Sequence, residues 1–127
     1  MSSYKSFFLV AALYDIVLGL AFFFFYGPLW DALGIALPNN TAYIHLTAAF
    51  VFVQGVGYWL VYQDPDHNRG IVTLGVVYKA CFAGLSVYYW AIGQLLHPIF
   101  LVFGALDALF LVGFVMFLMG RRSPQMA

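Results

Sequence analysis

Four stretches of this chain are each long and apolar enough to cross a bilayer, and that constrains its fold more than any other feature. A spanning helix needs about 20 largely apolar residues. The runs at 6–27, 41–62, 71–93 and 98–119 meet that length. Backbone polar groups cannot be left unpaired in lipid, so a span must be a helix or belong to a closed barrel. None of the runs alternates strictly between apolar and polar residues, which selects helices. The expected fold is all-α: an integral membrane four-helix bundle forming a single transmembrane domain over residues 1–127.

Composition excludes the main soluble classes. Hydrophobic residues make up 65% and charged residues 8%, against roughly half and a quarter in soluble chains. Mean hydropathy is +0.93. Such a chain does not suit a soluble enzyme, a disordered tail or a disulfide scaffold. Five Lys+Arg balance five Asp+Glu, leaving no net field to attract nucleic acid, and no nucleic-acid partner is expected. Cys81 stands alone, which excludes an intrachain disulfide and a thiolate metal cage.

The breaks between the runs carry turn chemistry. Pro28 ends the first, and Pro38-Asn39-Asn40-Thr41 offers Thr41 as an N-cap for the second. Residues 63–70 form the one clearly solvated loop. Gln94 to His97 make a tight turn, with Pro98 suited to a first helical position. Between spans one and two, Leu29, Trp30, Leu33 and Leu37 recur at helical spacing after Pro28. They predict a short helix lying in the membrane interface.

Basic residues set the expected orientation. Lys5, Arg69, Arg121 and Arg122 fall at the two ends of the chain and in the 63–70 loop, and the 28–40 and 94–97 connections have none. The positive-inside rule then places both termini in the cytoplasm. So one-sided a distribution argues against a dual-topology assembly. The first run is too long for a signal-peptide core and lacks a cleavage site, so it is expected to stay as a signal anchor. Tyr58, Trp59 and Tyr62 at one end of span two are expected to form an interfacial belt. Tyr26, Trp30, Tyr43, Tyr88, Tyr89 and Trp90 would form the belt at the opposite face.

Composition does not explain three ionisable groups inside spans: Asp15, Lys79 and Asp107. Each costs about 2.5–3.5 kcal/mol on insertion scales. Counted from the cytoplasmic boundary at about 1.5 Å per residue, Asp15 lies roughly 14 Å deep, Lys79 roughly 12 Å and Asp107 roughly 18 Å. Gln54 falls near 12 Å by the same count. All four spans thus place a polar group in one layer. Small residues flank these positions, Ala11 and Gly19 around Asp15 and Gly75 and Ala83 around Lys79, as happens where helices approach closely in lipid. The polar stripes are expected to face the bundle interior. One Lys against two Asp leaves a carboxylate over, so one proton is expected to be shared across the set at neutral pH. Two other arrangements compete: a purely structural ion pair that locks helix register, and a Lys79 that snorkels to the cytoplasmic surface.

The residues beside this cluster are also candidates. Tyr14 and Tyr78 directly precede Asp15 and Lys79 and can bring a hydroxyl to it. His45 and His97 lie toward the outer face and are the remaining candidates for haem, pigment or metal ligation. Neither has a second ligand one turn away, so capping or interfacial hydrogen bonding is the default, and no metal or cofactor is expected. Ala-Leu-Tyr-Asp at 12–15 and Ala-Leu-Asp at 105–107 form a faint repeat, for which coincidence in so restricted an alphabet is the simpler account.

Several short motifs run through residues 10–110: Tyr14-Asp15 with Leu18-Gly19, Leu33-Gly34-Ile35 with Pro38, Gly57-Tyr58-Trp59, Asp64-Pro65 with Asn68-Arg69, and Gly75 with Lys79. In these the chain resembles a class of small bacterial four-span membrane proteins that carry no assigned activity, which implies the bacterial inner membrane. The general architecture also resembles the DoxX-like and sterol-isomerase-like groups, but the catalytic signature of neither is present.

Three functions fit this reading. The preferred one is binding or transport of a lipophilic small molecule, or of a proton, at Asp15, Lys79, Asp107 and Gln54. A second is an accessory subunit of a larger membrane complex, with homo-oligomers also compatible. The third is a membrane enzyme applying acid/base catalysis to a lipid-soluble substrate, for which no nucleophile, metal or cofactor motif is present.

Overall fold

A computed structural model describes residues 2–95 and 97–120. Five helices follow one another, with no strand among the described residues: α1 (Ser2–Phe24), α2 (Tyr26–Leu33), α3 (Ala42–Gln63), α4 (Arg69–Ala91) and α5 (Ile99–Met119). Four of them are long and apolar enough to cross a membrane; only α2 is too short. The all-α four-helix bundle with a short helix between the first two spans is therefore observed. Arg121 and Arg122, which contribute to the expected orientation, lie outside the described residues.

These helices are apolar around their whole circumference, so contrast between faces does not position them. Small and polar residues do. On α1 the buried stripe runs Phe8, Ala12, Asp15, Gly19, and on α4 it runs Val72, Gly75, Lys79, Ser86. Gly104, Asp107, Phe114 and Phe117 form it on α5, and Ile44, Ala48, Gly55, Tyr58 and Val61 on α3. Steps of three, four and seven keep each set on one helical face.

The bundle is built from two intimate pairs, α1 with α3 and α4 with α5. In the first, backbones approach at two glycines. A Cβ on Gly19 would stand 2.7 Å from the Phe52 backbone nitrogen, and one on Gly55 2.7 Å from the Ile16 nitrogen. In the second pair Gly104 faces Ser86. Between the pairs, aromatic rings fill the wider gap: Phe8 stacks on Phe114 at 5.3 Å between centroids, and Tyr58 meets Phe114 at 5.0 Å.

Several helix ends depart from expectation: α1 runs from Ser2 to Phe24, and Pro98 stands just before α5 rather than as its first residue. The interfacial helix begins at Tyr26, two residues before Pro28, and stops at Leu33, so Leu37 lies outside it. Gly34 ends it with φ +71, and Ile35 N–H donates to the Trp30 carbonyl at 2.9 Å, closing a left-handed cap. Thr41 does not cap α3, because it already has helical backbone angles; Asn40 Oδ1 accepts from Ala42 N–H instead, at 2.9 Å. Helix α4 starts at Arg69, inside the stretch expected to be loop. Its neighbour Asn68 donates to the Leu60 and Asp64 carbonyls, closing the end of α3.

Two aromatic residues expected at membrane interfaces are core residues. Tyr58 is fully buried, and Trp30, 7% exposed, packs edge-on against Phe22 and Phe100. The reason is facing: Tyr58 sits three residues after Gly55, on the stripe that meets α1 and α4.

Candidate functional site

The buried charges meet where the two helix pairs face each other. Lys79 on α4 has no exposed surface, Asp15 on α1 is 1% exposed and Asp107 on α5 is 5% exposed. Lys79 Nζ donates to Asp107 Oδ1 at 2.8 Å and to Asp15 Oδ1 at 3.5 Å. The first bond lies within the α4–α5 pair and the second crosses to the α1–α3 pair. Snorkelling of Lys79 to the surface is overturned by its complete burial. Asp15 and Asp107, the two acids of the faint repeat, flank a single ammonium.

Lys79 is held further by π-faces. Its Nζ lies 5.1–5.6 Å from the ring centroids of Tyr14, Tyr58, Tyr78 and Phe110. Desolvated cation–π contacts of this kind contribute up to about 2 kcal/mol. Gly75, one turn before Lys79, leaves room for the Tyr58 ring, since a Cβ there would stand 2.8 Å from it. The triad and its rings therefore draw on all four long helices.

Of the residues picked out in the sequence, Asp15, Lys79, Asp107, Tyr14 and Tyr78 come together. Gln54 does not. It is half-buried, makes no side-chain hydrogen bond among the described residues and lines no wall of the cavities described below. Depth along α3 matched the other polar groups, but Gln54 sits beside the Ala48–Gly55–Tyr58 stripe rather than on it. Tyr58 and Phe110 are the contributors the sequence reading missed. The close approach implied by Gly75 opposite an aromatic residue was the available signal.

Three polar atoms in this region are buried without a protein partner: Asp15 Oδ2, Tyr14 Oη and Tyr58 Oη. Asp15 thus offers one oxygen to Lys79 and keeps the other free. Asp15, Asp107, Tyr14 and Tyr78 line a cavity of about 170 Å³, and Lys79 is not among its walls. Toward the α2 end lies a larger cavity of about 520 Å³, lined by Phe22, Trp30, Ile44, Ala48 and Phe100 among others. Leu18, Thr47, Val51, Phe82 and Phe103 line both. The two spaces together make an apolar chamber that ends in a pair of carboxylates, a shape and size within the roughly 300–1,000 Å³ range of small-molecule sites.

The histidines stand elsewhere. His45 packs against Phe23 and Tyr26 at 4.7 and 5.0 Å. His97 Nδ1 accepts from Ile99 N–H at 3.0 Å and so caps α5. No group of three or more His, Cys, Asp or Glu side chains is placed to hold a metal among the described residues. Compared with known proteins, the chain matches no family model, no curated protein and no solved structure.

Proposed function

We propose that this membrane protein binds, and by extension carries, a slim lipophilic molecule whose tail occupies the apolar chamber and whose polar head reaches Asp15 and Asp107. The observation that carries this reading is Asp15, which lines a largely apolar cavity and has one buried carboxylate oxygen without a protein partner. An unpartnered buried oxygen costs about 1–3 kcal/mol or more when charged, and a head group donating to it removes that cost. We place the protein in a bacterial inner membrane with both termini cytoplasmic, on the strength of its basic residues.

Native mass spectrometry of the protein released from gentle detergent tests this. A defined extra mass is expected on the wild type and is expected to disappear in Val51→Trp, which fills the junction of the two cavities and leaves every charged group in place. A wild type that flies bare, or a Val51→Trp variant that keeps the adduct while folded, would count against it.

A second reading has its own support. Lys79, wholly buried and bonded to both helix pairs, suits a tie that fixes helix register whether or not a ligand binds.

A further inference from the structure

We infer that the head group is a cation, an alkylammonium in the simplest case, taken up in exchange for a proton held by the Asp15–Asp107 pair. The inference rests on the lipophilic-ligand reading above and specifies which chemistry that site takes. Its basis is the order of charges along the cavity. Lys79 touches one side of the two carboxylates and is caged there by the rings of Tyr14, Tyr58, Tyr78 and Phe110. Asp15 and Asp107 line the cavity and Lys79 does not. A head group in the cavity therefore meets two carboxyl-bearing residues in its wall and no cationic one. A fatty acid or phosphate head would add negative charge beside two acids that share a single cation.

Charge balance then sets the coupling. The titratable and charged groups clustered around Asp15 are Tyr14 from α1, Tyr58 from α3, Lys79 and Tyr78 from α4, and Asp107 from α5. The tyrosines are neutral, so one cation faces two acids. An uncompensated carboxylate in the bilayer interior is strongly disfavoured, and the resting cluster retains one proton to reach zero net charge. An ammonium head brings the missing positive charge, and the proton leaves as it binds. Tyr14 and Tyr78, which line the same cavity, give the head further neutral contacts.

The test uses full-length protein carrying Trp59→Phe and Trp90→Phe. Both tryptophans are exposed, and their removal leaves Trp30 in the cavity wall as the single fluorescent reporter. Decylamine, decan-1-ol and decanoate are titrated between pH 6 and 8, where an alkylamine, like Lys, keeps its proton. Decylamine is expected to bind at least tenfold more tightly than either of the others. Its affinity is expected to rise by about tenfold per pH unit, as one displaced proton requires. In Asp15→Asn, which keeps the 2.8 Å Lys79–Asp107 bond, that pH dependence is expected to vanish. Equal binding of decylamine and decan-1-ol, preference for decanoate, or tight amine binding indifferent to pH would each overturn the exchange while leaving a lipophilic site. Absence of any Trp30 response to all three would overturn the ligand reading itself.

Discussion

An ammonium buried against two carboxylates is held there mostly by what its removal would leave behind. Lys79 gains from Asp107 at 2.8 Å, from Asp15 at 3.5 Å and from four rings, but taking three ionisable groups out of water cancels much of that gain. The pair therefore matters less for net stability than for what happens when one partner goes. Lys79→Met leaves the ionised carboxylate of the cluster without its cation and is expected to lower stability by about 3–5 kcal/mol. Because Asp107 is the nearer partner, Lys79→Met with Asp107→Leu is expected to recover most of that loss, and Lys79→Met with Asp15→Leu less. Thermal unfolding in one detergent checks the order, and equal recovery by the two doubles would show that Lys79 does not distinguish its acids. At this scale the sequence was informative about level and uninformative about azimuth. Counting residues from a boundary placed Asp15, Lys79 and Asp107 in one layer, because rise per residue is fixed. The same count put Gln54 there and said nothing of Tyr58, because on an all-apolar helix no polarity contrast marks which side faces the bundle. Gly55 and Gly75 carried that information, but only once paired with the surfaces they approach.

Elements were legible as lengths of apolar chain and less so at their ends, where single side chains decide. The side chain of Asn40 rather than Thr41 caps α3, and the side chain of Asn68 closes α3 while its carbonyl opens α4; residue type allows several assignments and geometry selects among them. The 64–68 connection also holds a titrating contact outside the membrane-spanning helices. His67 Nδ1 lies 2.9 Å from Asp64 Oδ2, and the His67 N–H also reaches the same carboxylate. That side-chain hydrogen bond, first among the causes, holds the Asp64 carboxyl below its ordinary range. A carboxyl lowered by folding contributes stability that is complete above the ordinary Asp value of about 3.9 and is lost as pH falls through the lowered one. Both side chains are open to solvent, so screening keeps the effect on stability small. His67→Ala is expected to move the Asp64 titration upward into the ordinary range, read by NMR of the carboxyl carbon. An unmoved titration would mean that the hydrogen bond does not form in solution.

Across the whole molecule, the two-pair construction explains why a charged cluster and a cavity occur together. Each pair closes tightly on itself through Gly19 and Gly55 or Gly104, and between the pairs the packing is left to rings, the triad and the chamber. The same construction fixes which ends lie together. Lys5 stands over the Tyr62 ring at 5.6 Å, and Arg69 donates to the Leu118 carbonyl while covering Phe117 at 4.9 Å. The start of α1, the end of α3, the start of α4 and the end of α5 thus share one face, and both described basic residues outside the core lie on it. The opposite face carries α2, the 34–41 segment and the turn before α5, where no described residue is Lys or Arg. Basic segments resist translocation, so the Lys5–Arg69 face is expected in the cytoplasm and the α2 face outside. In a Cys81→Ser background, Asn39→Cys is expected to react with a membrane-impermeant maleimide in intact cells and Asp66→Cys only after permeabilisation. The reverse pattern would invert the protein, placing the α2 end of the chamber on the cytoplasmic side and reversing the direction from which a lipophilic cation reaches Asp15.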